Sequence, residues 1–296
     1  VFDFFVHVAS IACLYGILAL SLNLQAGFTG LINFGLIALF GCGTYGAALA
    51  NGMGWHPLAG LPLGVAMAAV FGLFYARLGR KLSSDYWGIA TLSIAEIFRI
   101  TLTNEQALTG GAQGISGLPL LFAELKPYDG AARLVLYALV LLLVWFICQR
   151  IVRSSYGLAM KLTREEPQLA RSLGYNLDAI RRTVMLISSA IAAIAGFLYA
   201  HYLTFVGPDQ LVAPETFLIW SMVIIGGIGN NWGVVAGAIV MQFAMAYVPF
   251  VKDMLDLPTD FVAAARLLIV GGGLLAFLLW RPKGLFPEKI GGSYGR

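Results

Sequence analysis

Apolar residues in this chain do not alternate with polar ones; they run in long blocks. Nine blocks fall at about 4–25, 30–50, 57–77, 86–104, 131–149, 180–203, 215–230, 233–250 and 261–280. Each is close to the roughly 20 residues a helix needs to cross a hydrocarbon core. A backbone in lipid must satisfy its own hydrogen bonds, which leaves helices or closed barrels. Barrel strands would read as short segments of alternating polarity. These blocks are continuously apolar, so the pattern predicts an all-α, polytopic transmembrane bundle of about nine helices.

The longest charged interruption is residues 156–177, YGLAMKLTREEPQLARSLGYNL. With apolar spans on both sides, it must sit in water at a membrane face. It predicts a short cytoplasmic helix, a coupling segment at about 160–177. Two starts are open. Thr163 and Glu166 fit a capping box, and Glu165 and Glu166 suit the positive end of a helix dipole. Alternatively, Pro167 is the first helical residue behind a Glu166 cap. The end is better defined: Gly174 suits a left-handed C-cap, and Asn176 can cap the next membrane helix with Asp178 in its first turn. A short helix, a sharp corner and immediate re-entry into lipid would couple a push on the helix to a membrane span. Pro167 and the paired acids disfavour an anionic lipid surface and favour docking onto a protein.

Composition agrees. The chain is 59% apolar and 11% charged, against about 45–50% and 25% in soluble domains. With no linker or soluble module, residues 1–296 read as one membrane domain. Cys13, Cys42 and Cys148 sit isolated in apolar blocks and read as packing residues; His7, His56 and His201 read as interfacial. One set of loops carries Arg77, Arg80, Lys81, Arg150, Arg153, Lys161, Arg164, Arg171, Arg181, Arg182, Arg281, Lys283, Lys289 and Arg296, which is 14 of the 19 basic residues. The opposite loops carry Lys126, Arg133, Lys252 and Arg266 among the acids Glu105, Glu124, Asp129, Asp209, Glu215, Asp253, Asp256 and Asp260. The positive-inside rule puts the first set, the coupling segment and the C-terminus in the cytoplasm. Nine spans then place Val1 outside; a further helix before Val1 would bring both ends inside. No signal-peptide pattern opens the sequence.

Three stretches depart from a plain span. The second block, with its approach, carries Asn23, Gln25 and Asn33 and glycines at 27, 30, 35, 41, 43 and 46. It reads as a broken helix, tolerated at membrane depth where it lines a cavity or packs in protein. The polar trio are candidates for a translocation path; close helix packing is the alternative. In the fourth block Glu96 and Arg99 share a helix face and can pair. Glu96 is either a fourth path residue or half of a lock between helices, unless the pair lies near the outer interface with Arg99 snorkelling. Finally, Gly229, Gly233 and Gly237 predict a close helix seam beside a turn at Asn230–Trp232, and the external loop 105–130, with TGGAQGISGLP, predicts turns. That loop lacks the Lys-Ser/Thr ending and the preceding strand of a phosphate loop.

Several blocks together resemble a known family. ALSLNLQAGFTGLINFG, DYWGIATLSIAEIFRI, TGGAQGISG, EEPQLARSLGYN and the closing GGIGNNWGVVAGA and RPKGLF are similar, in order and spacing over nearly the whole chain, to branched-chain amino-acid ABC transporter permeases of the LivM type. The resemblance implies a multi-pass permease subunit in a bacterial inner membrane. It would form the path with a second, related permease (LivH-like), and be served by two cytoplasmic ATPases and a periplasmic substrate-binding protein. It also implies that Glu165, Glu166, Ala170, Ser172, Leu173 and Gly174 lie in the segment contacting the ATPase. The sequence carries no Walker motif, so no catalysis and no cofactor are expected of it; ATP and magnesium would belong to the partner subunits. Lipid, not nucleic acid, is the remaining partner. The alternatives are a like permease for urea, short amides or other amino acids, or an ion-coupled carrier or channel working alone. Such a carrier would need ionisable relays in mid-membrane, and only Glu96 and Arg99 are at hand.

Overall fold

The computed structural model describes residues 2–79, 82, 84–122, 124, 128–254, 259–281 and 284–288, without the side chains at 2, 84, 85, 251–254, 259–261, 263, 266 and 267. Arg80, Lys81, Lys126, Asp256, Lys283, Lys289 and Arg296, used above to orient the chain, lie outside the described residues, as do the side chains of Lys252, Asp253, Asp260 and Arg266.

Every predicted block forms a helix. The blocks give α1 (Phe2–Leu22), α2 (Leu36–Gly52), α3 (Gly60–Leu78), α4 (Ser84–Asn104), α6 (Asp129–Val152), α9 (Leu177–Leu203), α10 (Ala213–Gly226), α11 (Asn231–Met254) and α12 (Thr259–Trp280); among the described residues, α1, α3, α6, α9 and α11 are long and apolar enough to cross a membrane. Between them lie three short ones: α5 (Gln106–Thr109), α7 (Ser155–Glu165) and α8 (Pro167–Ser172).

Burial sorts them into centre and rim. The apolar windows of α1 and α9 are 61% and 67% buried, whereas those of α3 and α6 are 28% and 22% buried. Apolarity does not separate the two groups, since the rim helix α6 is more apolar than α1; a helix in a bilayer stays apolar whether it faces protein or lipid. α1 packs on α6, α9, α10 and α11, while α2 lies against α3 and α9. α2 and α10 are short, at 17 and 14 residues. At 1.5 Å per residue they reach about 25 and 21 Å, less than a core of roughly 30 Å.

The 105–130 loop is more ordered than turns alone. It holds α5, a 3-10 turn at Gly111–Gln113, and strand β1 (Ile115–Ser116), paired antiparallel with β2 (Phe205–Val206) after α9. His201, in the last turn of α9, is fully buried, and its Nδ1 meets Pro119 O at 2.8 Å, pinning this loop to α9. The predicted glycine seam is shorter than expected. Gly233 and Gly237 lie on α11 against Gly226 and Met222 of α10, but Gly229 sits in the turn at φ +83. Asn231 and Trp232 open α11 instead of forming the turn.

Candidate functional site

The break predicted in the second block is present. The last turn of α1 widens into a π turn at Asn23–Gly27, and six non-helical residues, 30–35, precede α2. Asn23, Gln25 and Asn33 are all 0% exposed, so the protein must supply every hydrogen bond there. It does so largely through side chains. Asn33 Nδ2 donates to Gln25 Oε1 (2.9 Å) and Asn33 Oδ1 accepts from Gly35 N (2.7 Å). The Trp220 indole donates to Asn33 O (3.1 Å), and Phe34 N donates to the Thr91 hydroxyl (3.1 Å). Helices α4 and α10 therefore hold the break from two sides.

Asn23 ties the same joint to the turn between α10 and α11. Its Nδ2 donates to Asn231 Oδ1 (2.9 Å) and its Oδ1 accepts from Gly229 N (2.9 Å). Asn23→Leu keeps the branched shape but leaves the buried Gly229 N–H without its acceptor and Asn231 Oδ1 without its donor. A loss of about 1–3 kcal/mol is expected, read as earlier unfolding of the purified variant in detergent.

Glu96 stands apart from this joint. It pairs with Arg99, whose Nε lies 3.1 and 3.0 Å from the two carboxylate oxygens. Their side chains remain 41% and 27% exposed, beside the exposed Ile97 and Ile100. Glu96 lies about 12 Å along α4 from Asn104 at 1.5 Å per residue. The structure thus puts Asn23, Gln25 and Asn33 at one buried joint, Gln25 bonded to Asn33 and Asn23 bonded to the α10–α11 turn, and leaves Glu96 on an exposed face of α4.

The coupling segment is two helices meeting at a corner. α7 is capped by Ser154, whose hydroxyl accepts from Gly157 N at 3.4 Å. Thr163 is no cap; it lies inside α7 with its hydroxyl on Ala159 O (2.8 Å). The second of the two possible starts is the one formed: Pro167 opens α8 behind Glu166, where its missing N–H costs nothing. Gly174 follows at φ +85, and Asn176 Oδ1 accepts from Ala179 N (3.0 Å) to cap α9. Glu165, Glu166, Ser172, Leu173 and Gly174 are exposed. Ala170 is fully buried, so it seats α8 on the bundle instead of facing outward. Leu158, Leu169 and Leu173 add exposed apolar area to this otherwise charged surface.

Sequence reasoning missed the grip on this segment from behind. Glu288, in the tail after α12, receives Lys161 Nζ at 2.7 Å and Arg164 Nη2 at 2.8 Å. Arg164 also donates to Gly27 O, at the end of the π turn, and bonds Glu165. Burial works against the Arg164 charge, but the hydrogen bonds to Glu288 and Glu165 outweigh it and raise its pKa above the ordinary arginine value. The one signal in the sequence was an acid set among Arg281, Lys283, Lys289 and Arg296.

A buried helical bundle with a broken central helix, and an exposed, charged two-helix corner at one end, are those of a membrane-embedded transport subunit. The chain belongs to the branched-chain amino acid transport system permease component family, whose model matches residues 4–278. It is 32% identical to the high-affinity branched-chain amino acid transport system permease protein LivM of Escherichia coli (strain K12), over 95% of this chain and 70% of that protein. A probable LivM of Methanocaldococcus jannaschii is 30% identical over 93% of this chain and 91% of its own length. The autoinducer 2 import system permease LsrC of Escherichia coli (strain K12 / DH10B) is 28% identical over 62% of this chain and 53% of its own length.

Proposed function

We propose that this permease carries branched-chain and other hydrophobic amino acids inward across a bacterial inner membrane, with its C-terminus in the cytoplasm. It forms the path with a second, LivH-like permease. Two cytoplasmic ATPases, which hold the ATP and magnesium, drive it, and a periplasmic binding protein delivers the solute. The observation that carries this reading is the α7–α8 corner: exposed acids and leucines on a segment that re-enters the bundle directly through α9. Such a surface offers a soluble partner both charge and apolar area.

The path is drawn from the same residues. Glu96 and Arg99 present a half-exposed ion pair among isoleucines at membrane depth, which lipid would penalise; the second permease covers this flank, and the path runs beside it. Asn23, Gln25 and Asn33 form the hinge at which that path opens. Gln25 Nε2, buried with no hydrogen-bond partner among the described residues, is a donor available to a passing carboxylate.

Affinity purification from native membranes tests the reading. Two ATPase subunits and a second permease are expected to accompany the chain, and the reconstituted complex is expected to take up labelled leucine in preference to labelled urea. Recovery of the chain alone, active without ATP, would overturn it.

A further inference from the structure

Glu288 and its surroundings form a closed ring of contacts joining the coupling corner to the broken helix. The tail is fixed to the α10–α11 turn by backbone bonds, Leu285 N to Ile225 O (2.8 Å) and Phe286 N to Gly226 O (3.0 Å). The turn's own Asn230 reaches back, its Nδ2 donating to Phe286 O (3.2 Å). This delivers the Glu288 carboxylate beneath α7, only 14% exposed, between Lys161 and Arg164, which are 29% and 20% exposed. Arg164 spans the remaining gap by capping Gly27 O, and Asn23 closes the ring through Gly229 N.

Two features make this more than a surface pair. Exposed ion pairs hold little, because water screens them and long side chains lose freedom. Here a single carboxylate is gripped by two cations in a partly buried site, and charge-assisted bonds there are the strong ones. The guanidinium is also geometrically committed. Its planar fork serves the Glu288 carboxylate through Nη2 and the Gly27 carbonyl through Nη1, and a lysine, whose three donors sit on one nitrogen, does not reproduce that spread. The carbonyl it caps ends the π turn, immediately before the 30–35 break.

We propose that Glu288 is the positioning residue of the power stroke: it fixes Arg164 against Gly27 O, so that displacement of α7–α8 is passed to the hinge in α1 instead of being absorbed by the loop. The proposal rests on the reading of α7–α8 as the ATPase-docking corner. In its absence the ATPases still dock and still hydrolyse ATP, but the hinge is no longer driven.

The test uses the whole reconstituted complex and reads assembly, ATP hydrolysis and leucine uptake separately. Glu288→Gln is expected to retain the ATPases and their hydrolysis while solute moved per ATP falls about tenfold or more; Glu288→Asp is expected to recover most of the ratio. Arg164→Lys, which keeps the charge opposite Glu288 but not the fork, is expected to show the same uncoupling and serves if Glu288→Gln accumulates poorly. An unchanged transport-to-hydrolysis ratio in these variants would overturn the role of Glu288 and leave the docking reading standing. Loss of the ATPases from the Glu288→Gln complex would also overturn it, since Glu288 would then support the docking surface itself. If the wild-type chain retains no ATPases, the docking reading fails first.

Discussion

Gly174→Pro is expected to insert into the membrane at a normal level and to support no transport. Gly174 sits at φ +85, a region proline cannot enter because its ring holds φ near −65°. The substitution also removes the N–H that donates to Arg171 O at 3.0 Å. Both losses fall on the corner between α8 and α9, where nothing lies within 4 Å of an added Cβ. The damage is therefore conformational and local, and the apolar core that governs insertion is untouched. Glu166→Lys should act at the same corner by another route, reversing a charge on the docking face with no change of backbone. Both are read by ATP-driven leucine uptake in vesicles matched for permease content. Normal uptake by both would contradict the docking assignment.

The second large effect concerns the core. Gly196 of α9 faces the Phe40 carbonyl of α2, and Gly43 of α2 faces the Ala193 carbonyl of α9; an added Cβ at either position would overlap a backbone oxygen. Backbone in a packed helix cannot step aside as a side-chain tip can, so the helices must separate. Gly196→Val should cost more than the roughly 1–3 kcal/mol of ordinary overpacking and leave almost no protein that elutes as a single species after detergent extraction. Gly52→Ala, at the end of α2 with nothing within 4 Å of the new methyl, is the matched control and should behave as wild type.

The helices were legible because lipid imposes one rule on every span: continuous apolar length. That rule found α1–α4, α6 and α9–α12 without knowing their contacts, but not the short α5, α7 and α8, which are not apolar spans. The break at 30–35 was legible for a related reason, since polar residues and glycines at depth signal backbone that is not held by a helix. What holds it was hidden. Trp220 and Thr91 are far from Asn33 in the chain, and no local pattern announces their hydrogen bonds. The same limit explains His201, whose partner Pro119 lies in a loop read only as turns. Within the coupling segment the caps at Gly174 and Asn176 were readable because each acts on its immediate neighbours. The start stayed open because the Thr163–Glu166 spacing satisfies a capping rule as well as Pro167 does, and only the structure shows that α7 has already begun behind Ser154. Ala170 shows that a motif places a segment better than it places a surface: its neighbours are exposed and it is buried. Glu288 lies more than a hundred residues from Lys161 and Arg164, and only the fold of the tail over the α10–α11 turn brings them together.

The placement of the α7–α8 corner is best tested by a single cysteine. Ser172→Cys, in a background where Cys13, Cys42 and Cys148 are replaced, should resist a membrane-impermeant maleimide applied to intact cells. It should react in inverted vesicles and be shielded when the ATPases are bound. Labelling of that cysteine from outside intact cells would contradict the account.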